Sequence, residues 1–306
     1  MFAFRRSIVP NAIRRSRAFA SNKEPLLLIS EENNVITICM NTPERLNGWT
    51  QPMMFAIKDA FASAASDPDC KALILTGADP YYCAGVNLSD TMKPMHPKTL
   101  FDTIVSQNQA LFDTFLDFPK PVVAAVNGPA IGACVTSATL CDAIIASEKA
   151  TFHTPFAALG IVPEGCSSVH FERIMGPENA RKMLDDGWKP TAEEAEKAGF
   201  VAKVVPHATL REEAQAKAEA LVAAGVEGGV DRTICGQPAT SELVQELKNV
   251  NARESVALAK AFMSVPFLTG QYEFLKSRNK SSGARVFWWL RALRPLWYPL
   301  SGAEKR

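Results

Sequence analysis

The sequence predicts an α/β protein in which short, covered strands alternate with helices. Three observations carry that prediction. Short apolar runs such as KALILTG and VVAAVNG close on glycine, as buried strands do. Stretches with apolar residues at helical spacing, such as TQPMMFAIKDAFASAASDPDC, stand between them. The strand–turn–helix order then recurs along the chain, which is the pattern of a mostly parallel sheet covered by helices.

The elements follow in order. LLLISEENNVITICMNTPE reads as a hairpin around an Asn-containing turn, and the helix after it stops at Asp-Pro. KALILTG is a strand followed by the Gly-containing loop YYCAGVNL. TLFDTIVSQNQALFDTFLDF is a helix ended by PKP, VVAAVNG is the next buried strand, and PAIGACVTSATLCD turns into a small-residue helix. AIIASEKATFHTP supplies another strand region and ERIMGPENARKMLDDG another helix. Beyond about residue 208 the strands are expected to stop. LREEAQAKAEALVAAG, SELVQELKNVNARESVALAKAFMS and LTGQYEFLKSR read as a helical cap. The expected organisation is a leader (1–23), a core (24–207), a helical region (208–280) and an aromatic, basic tail (281–306).

At 306 residues, 47% hydrophobic and 21% charged, the chain can bury a sizeable core. Its net charge of +1 is unevenly spread: Arg5, Arg6, Arg14, Arg15, Arg17 and Lys23 precede any acid, so the remaining 283 residues sum to −5. A mildly acidic body argues against nucleic acid as a partner. The Arg-rich, acid-free N-terminus suits a mitochondrial presequence, so the expected address is the matrix, with the peroxisome as alternative. No apolar run is long enough to span a membrane. The seven cysteines form no CxxC pair and the four histidines no HxxxH or HxH spacing, so free thiols and no metal site are expected. The tail ARVFWWLRALRPLWYPL combines aromatics with Arg285, Arg291 and Arg294. It suits either an interfacial helix on an anionic membrane or packing against the body or a neighbouring subunit.

Three short motifs carry the chemistry. In GIVPEGCSS, Glu164 stands between proline and glycine, either as a solvated loop charge or as a base held over a substrate. In CAGVNL and NGPAIGACVT, the N–H groups around Ala84 and Gly85, and those at Gly132 and Ala133, lie where little side-chain bulk hinders a ligand. Such small residues either form an oxyanion hole or only permit tight helix–sheet packing.

The order CAGVNL, FPKPVVAAVNGPAIGACV, CDAIIASEKATFHTP and LGIVPEG resembles the crotonase (enoyl-CoA hydratase/isomerase) superfamily over about residues 26 to 280. FHTPFAALGIVPEGCSSVHFERIMG resembles in particular its Δ3,Δ2-enoyl-CoA isomerase branch. The resemblance implies a crotonase-like spiral of ββα repeats with a C-terminal helical cap, assembled as a trimer or hexamer. It implies an acyl-CoA thioester as substrate and no separate cofactor, since CoA is part of the substrate. Ala84 and Ala133 would supply the oxyanion N–H groups, and Ala84, Gly85, Val86, Asn87 and Leu88 would line the pantetheine and adenine path opposite Leu46 and Asn47, with Phe156 also binding the substrate. Hydratases carry two glutamates where this chain has Thr136 and Phe156, whereas the isomerase glutamate corresponds to Glu164. Phe156, Ile161 and Val162 would keep water from that carboxylate and raise its pKa. His153 is expected to be a satisfied buried histidine, Asp142 to close a helix, and Cys83 and Cys166 to be chemically idle. The alternatives are another crotonase reaction (dienoyl-CoA isomerase or hydratase) or a non-catalytic acyl-CoA-binding scaffold.

Overall fold

The computed structural model describes residues 24–87, 95–228 and 232–305. The expected leader and Leu88 lie outside them. The chain opens with the antiparallel hairpin β1 (Leu27–Glu32) and β2 (Val35–Met40). Asn33 and Asn34 both take positive φ, which suits the right-handed strand twist and sets Glu32 opposite Val35. Helix α1 (Gln51–Ser66) starts where the Thr50 hydroxyl accepts from the Met53 N–H, and it buries Met53, Ile57, Phe61 and Ala64. Then come β3 (Ala72–Gly77), α2 (Pro97–Leu116), β4 (Val122–Val126), β5 (Ala130–Ile131), α3 (Ala133–Ala138), β6 (Ala143–Ser147) and β7 (Phe152–His153). They are followed by α4 (Phe156–Leu159), α5 (Ser167–Leu184), α6 (Ala192–Lys197), β8 (Lys203–Val205) and α7 (Leu210–Gly228). The rest is β9 (Thr233–Ile234), β10 (Gln237–Pro238), α8 (Ser241–Phe262), α9 (Val265–Ser277), α10 (Ser281–Ala292) and α11 (Arg294–Trp297).

The described residues form a six-stranded sheet in the order β1-β2-β3-β4-β6-β8, parallel from β2 onward. Its central strands are buried on both faces, which explains their unbroken apolar runs. Leu73, Leu75, Val122, Ala124 and Val126 join the main core with Ile57, Phe61, Phe112 and Phe115. Ala72, Ile74, Val123 and Ala125 pack with Leu210, Ala214 and Ala218 of α7 on the opposite face. Each Leu, Ile or Val so placed stabilises the fold by about 1.5–3 kcal/mol relative to exposure.

The stretch 208–280 therefore does not act as one helical unit. Helix α7 is a layer of the sheet, whereas α8 and α9 bring Leu258, Phe262 and Phe267 against Phe101 and Ile104 of α2. Phe287 and Leu290 of α10, with Trp297 and Tyr298, close over that same cluster. The expectation that strands stop near 208 is also corrected, because β9 and β10 pair around Cys235 and Gly236, both at positive φ. Strands of two residues show no alternation to read; the two-residue turn was their only signal.

Asp142 closes no helix. Its buried carboxylate accepts from the Val122 N–H (2.8 Å), the Thr233 N–H and the Thr233 hydroxyl (3.1 Å), and it faces the Arg232 guanidinium at 3.4 Å. Arg232 also donates to the carbonyls of Leu116, Phe118 and Leu140, so this pair ties the β9–β10 hairpin to β4 and α2.

Candidate active site

Glu164 lies on a turn that only glycine can follow. Gly165 has φ +65°, and a Cβ there would come within 2.5 Å of the Phe112 ring and 2.6 Å of the Thr136 hydroxyl. The Glu164 carbonyl accepts from the Ser167 N–H and hydroxyl, which closes the turn into α5. The side chain consequently points inward and is buried, 7% exposed, so Glu164 is no solvated loop charge.

Its carboxylate meets little that would stabilise a negative charge. One oxygen accepts from the Asn108 side-chain amide at 2.7 Å. Burial pushes the carboxyl up to about 7; the Asn108 hydrogen bond pulls it down and the nearby Glu254 carboxylate pushes it further up. Met54, Val86, Ile104, Leu111, Leu258 and Phe262 wall the narrow cavity of about 50 Å³ that it faces. Ile161 and Val162, expected to shield it, pack instead against the α8–α9 cluster, and Phe156 is in the main core. Water is thus excluded by α1, α2 and α8, which local sequence around Glu164 could not reveal.

Behind Glu164 runs a polar chain. The Asn108 side-chain Oδ1 accepts from the Ser255 hydroxyl (2.8 Å), and the Asn251 side chain donates to Asp113 (3.0 Å) and to the Gln109 carbonyl (3.1 Å). Glu254, also buried, accepts from the N–H groups of Cys166 (2.6 Å) and Ser168 (2.9 Å) and so anchors the start of α5. Sequence reasoning missed Asn108 and Glu254. Their signal was a polar residue inside an otherwise apolar helical stripe: Asn108 among Phe101, Ile104, Leu111 and Phe115, and Glu254 among Leu247, Val250 and Leu258.

The two candidate N–H donors fare differently. Ala84 donates to the Leu46 carbonyl at 2.9 Å, so its N–H is already committed and cannot serve an oxyanion. Two residues on, Val86 forms a parallel bridge with Trp49 through Trp49 N–H to Gly85 O (2.8 Å) and Asn87 N–H to Trp49 O (2.9 Å). In that pattern the Val86 N–H points away from Trp49, and it bonds no described residue. The Ala133 N–H, first in α3 after Gly132, likewise bonds no described residue. The parallel bridge of Cys83 with Ala130 lies three residues before each of these donors and sets the two segments side by side. Gly85 is needed there, since a Cβ would come within 2.6 Å of the Ile131 carbonyl. The β5–β7 pairing then lets the His153 carbonyl accept from the Gly132 N–H at 2.8 Å.

Other expected site residues take supporting places. The buried Asn47 side chain donates to the carbonyls of Ala78 (2.6 Å) and Tyr81 (2.7 Å) and accepts from the Thr42 N–H, so it is spent on the backbone. The Leu46 side chain is exposed, and Asn87 lines a cavity of about 720 Å³ with Val86, Gln271, Leu275, Lys280 and Phe287. Thr136 directs its hydroxyl to the Ala133 carbonyl (3.1 Å) and Phe156 is fully buried. Neither offers a carboxylate. The His153 ring is half-buried and makes no hydrogen bond with a described residue, so it is not a satisfied core histidine; His170 is the fully buried one, with its Nε2 3.0 Å from the Thr139 carbonyl and its Nδ1 without a partner among the described residues. All seven cysteines are free and six are buried. Burial raises the Cys166 thiol far above its ordinary pKa, which disfavours a thiolate nucleophile.

The sequence model of the family described as Enoyl-CoA hydratase/isomerase matches residues 30–255. Enoyl-CoA delta isomerase 3, peroxisomal, of Mus musculus is 38% identical over 190 residues, covering 61% of this chain and 59% of its own. Enoyl-CoA delta isomerase 2 of Homo sapiens is 38% identical over 210 residues, covering 67% of this chain and 51% of that protein. The chain thus spans little more than half the length of these relatives. The solved enoyl-CoA hydratase/isomerase of Pseudoalteromonas atlantica matches with a TM-score of 0.69 at 26% identity, over 83% of this chain and 98% of that one. The α/β fold with its parallel core and C-terminal helices is the crotonase fold.

Proposed function

The chain belongs to the enoyl-CoA hydratase/isomerase family, and we propose that it is an isomerase that shifts the double bond of a 3-enoyl-CoA to 2-trans-enoyl-CoA, a step in the β-oxidation of unsaturated fatty acids. One observation carries this reading: one buried carboxylate, Glu164, faces the apolar cavity, with Thr136 and Phe156 where a hydratase would hold its pair. The thioester carbonyl would accept from the N–H groups of Val86 and Ala133. Glu164 would remove a C2 proton, acidified by the thioester; the electron pair would delocalise into a dienolate, and the protonated Glu164 would return the proton at C4. No atoms are gained or lost and neither water, metal nor redox cofactor is consumed. Each oxyanion donor is worth about 3–4 kcal/mol to such an intermediate. Val86 lines both the Glu164 cavity and the larger cavity against α9 and α10, so the acyl chain would lie on one side of it and the CoA moiety on the other.

Assembly as a trimer or hexamer, and import of the chain into the mitochondrial matrix by residues 1–23, complete the reading; the peroxisome is the alternative address. The test is turnover of 3-enoyl-CoA by the purified protein, with hydration of 2-enoyl-CoA measured alongside. Isomerisation without appreciable hydration is expected. Faster hydration overturns the assignment, and acyl-CoA binding without turnover turns it into a scaffold. A fluorescent fusion to residues 1–30 that stays in the cytosol overturns the import signal.

A further inference from the structure

The C-terminal helices carry a second apolar stripe that the fold leaves uncovered. Phe287, Leu290, Trp297 and Tyr298 pack inward on the α2–α8–α9 cluster. Val286, Trp289, Leu293 and Leu296, spaced three, four and three residues apart, are exposed, with Trp289 at 55% and Leu296 at 73%. Trp288 and Leu300 extend this exposed surface, and Phe274 and Val286 continue it to the cavity of about 720 Å³ that both of them line. A helix apolar on both sides needs a partner on both sides.

The charges around the stripe say which partner. Between residues 274 and 303 the sequence holds Lys276, Arg278, Lys280, Arg285, Arg291 and Arg294 and no acid. None of these six forms an ion pair with a described carboxylate. Their contacts are with rings and neutral oxygens: Lys276 over Tyr272, Arg278 over Phe274, Arg294 over Tyr298 at 3.7 Å, and Arg291 to the Thr269 hydroxyl. Two copies meeting through this face would bring its cations, Arg285 and Arg291 among them, against the same cations of the other copy. Among the described residues no helix is long and apolar enough to cross a membrane. Outward Trp and Leu side chains among unpaired cations instead match an interface where acyl chains lie just beneath anionic headgroups.

We infer that the outer face of 274–300 docks on an anionic membrane surface, holding the enzyme where acyl chains are at hand. Trp288 and Trp289, in edge-to-face contact at 4.7 Å, would lie at headgroup depth with Leu293 and Leu296 beneath them. The inference concerns a surface and stands whether or not the proposed isomerisation is correct.

Flotation of the full chain with phosphatidylcholine vesicles, and with vesicles that also contain phosphatidylglycerol, tests it. At least about tenfold more protein should float with the anionic vesicles at low salt, and most of that excess should vanish near 1 M salt, where screening reaches about 3 Å. The double variants Trp289→Ser/Leu296→Ser and Arg285→Glu/Arg291→Glu should each lose the excess while unfolding at the temperature of the unmodified protein. Equal flotation with both vesicle types, or none, overturns the proposal. So does a Trp289→Ser/Leu296→Ser protein that sediments as a smaller species without any vesicle dependence, because the stripe would then be a contact between copies.

Discussion

Glu164 and Asp142 are both buried carboxylates, and burial is the largest influence raising each of them. Their surroundings otherwise differ. Asp142 accepts two backbone N–H groups and a hydroxyl and faces a guanidinium, so its lone pairs are taken. Glu164 accepts one side-chain amide and fronts an apolar cavity. A carboxylate with its partners all supplied by the protein holds segments together; one left short of partners can exchange a proton with something else. The first kind is expected to govern stability and the second turnover, and four experiments can break that division.

The largest effect belongs to Glu164→Gln. Isomerisation should fall by about two to four orders of magnitude, the scale of a lost general base. Stability should not fall with it. The folded-state pKa of about 7 lies above the free value of 4.5, so ionisation opposes folding. Glu164 thus contributes full stability below about pH 4.5 and loses it as pH rises through 7. The variant should therefore unfold at an equal or higher temperature than the unmodified protein at pH 8, and the gap should close at pH 5. A folded variant with near-full activity would remove Glu164 from the chemistry.

Asp142→Ala should do the reverse. It strands Arg232 without its counter-charge, a loss on the scale of about 3–5 kcal/mol, read by denaturant unfolding. Turnover by the fraction that remains folded should change only a few-fold. A large loss of kcat at unchanged stability would mean that the division is wrong.

Gly165→Ala should affect both properties, because the turn links them. Positive φ and the close approach to Phe112 and Thr136 together cost about 2–4 kcal/mol. The displaced Glu164 should cost activity in addition. Retained activity and stability would show that the turn tolerates what its geometry forbids.

The smallest effect is expected at Asn108. The rate in kcat/KM should rise with pH through a midpoint near 7 as Glu164 ionises. Asn108 lowers that midpoint by bonding the carboxylate, so Asn108→Ala should move the limb to higher pH. The loss should be up to about tenfold at neutral pH and recover at alkaline pH. A uniform loss at every pH would instead point to altered packing.

The hairpin, the strands closed by glycine and the helices α1, α2, α3 and α5 were legible, because period and punctuation are local properties. The Pro-Glu-Gly turn was legible as a turn, and the crotonase motifs made Glu164 the residue to watch. The donor beside it was misread. Ala84 and Val86 both flank Gly85 in CAGVNL, and only the folded backbone shows that the Ala84 N–H is spent on Leu46 while the Val86 N–H bonds no described residue. Asn108 and Glu254 were present as interruptions of apolar stripes, but which carboxylate each would meet depended on α2 and α8 lying together.

The sequence by itself thus determined which elements form, where the chain must turn and which side chains are chemically able to carry a proton, since these depend on neighbours a few residues away. Only the tertiary structure decided which N–H groups remain unbonded, which carboxylate is left short of partners, and that Met54, Leu111, Leu258 and Phe262 rather than Ile161 and Val162 keep water from Glu164. Desolvation and hydrogen-bond competition are settled by groups from distant parts of the chain, and no local pattern records who will arrive.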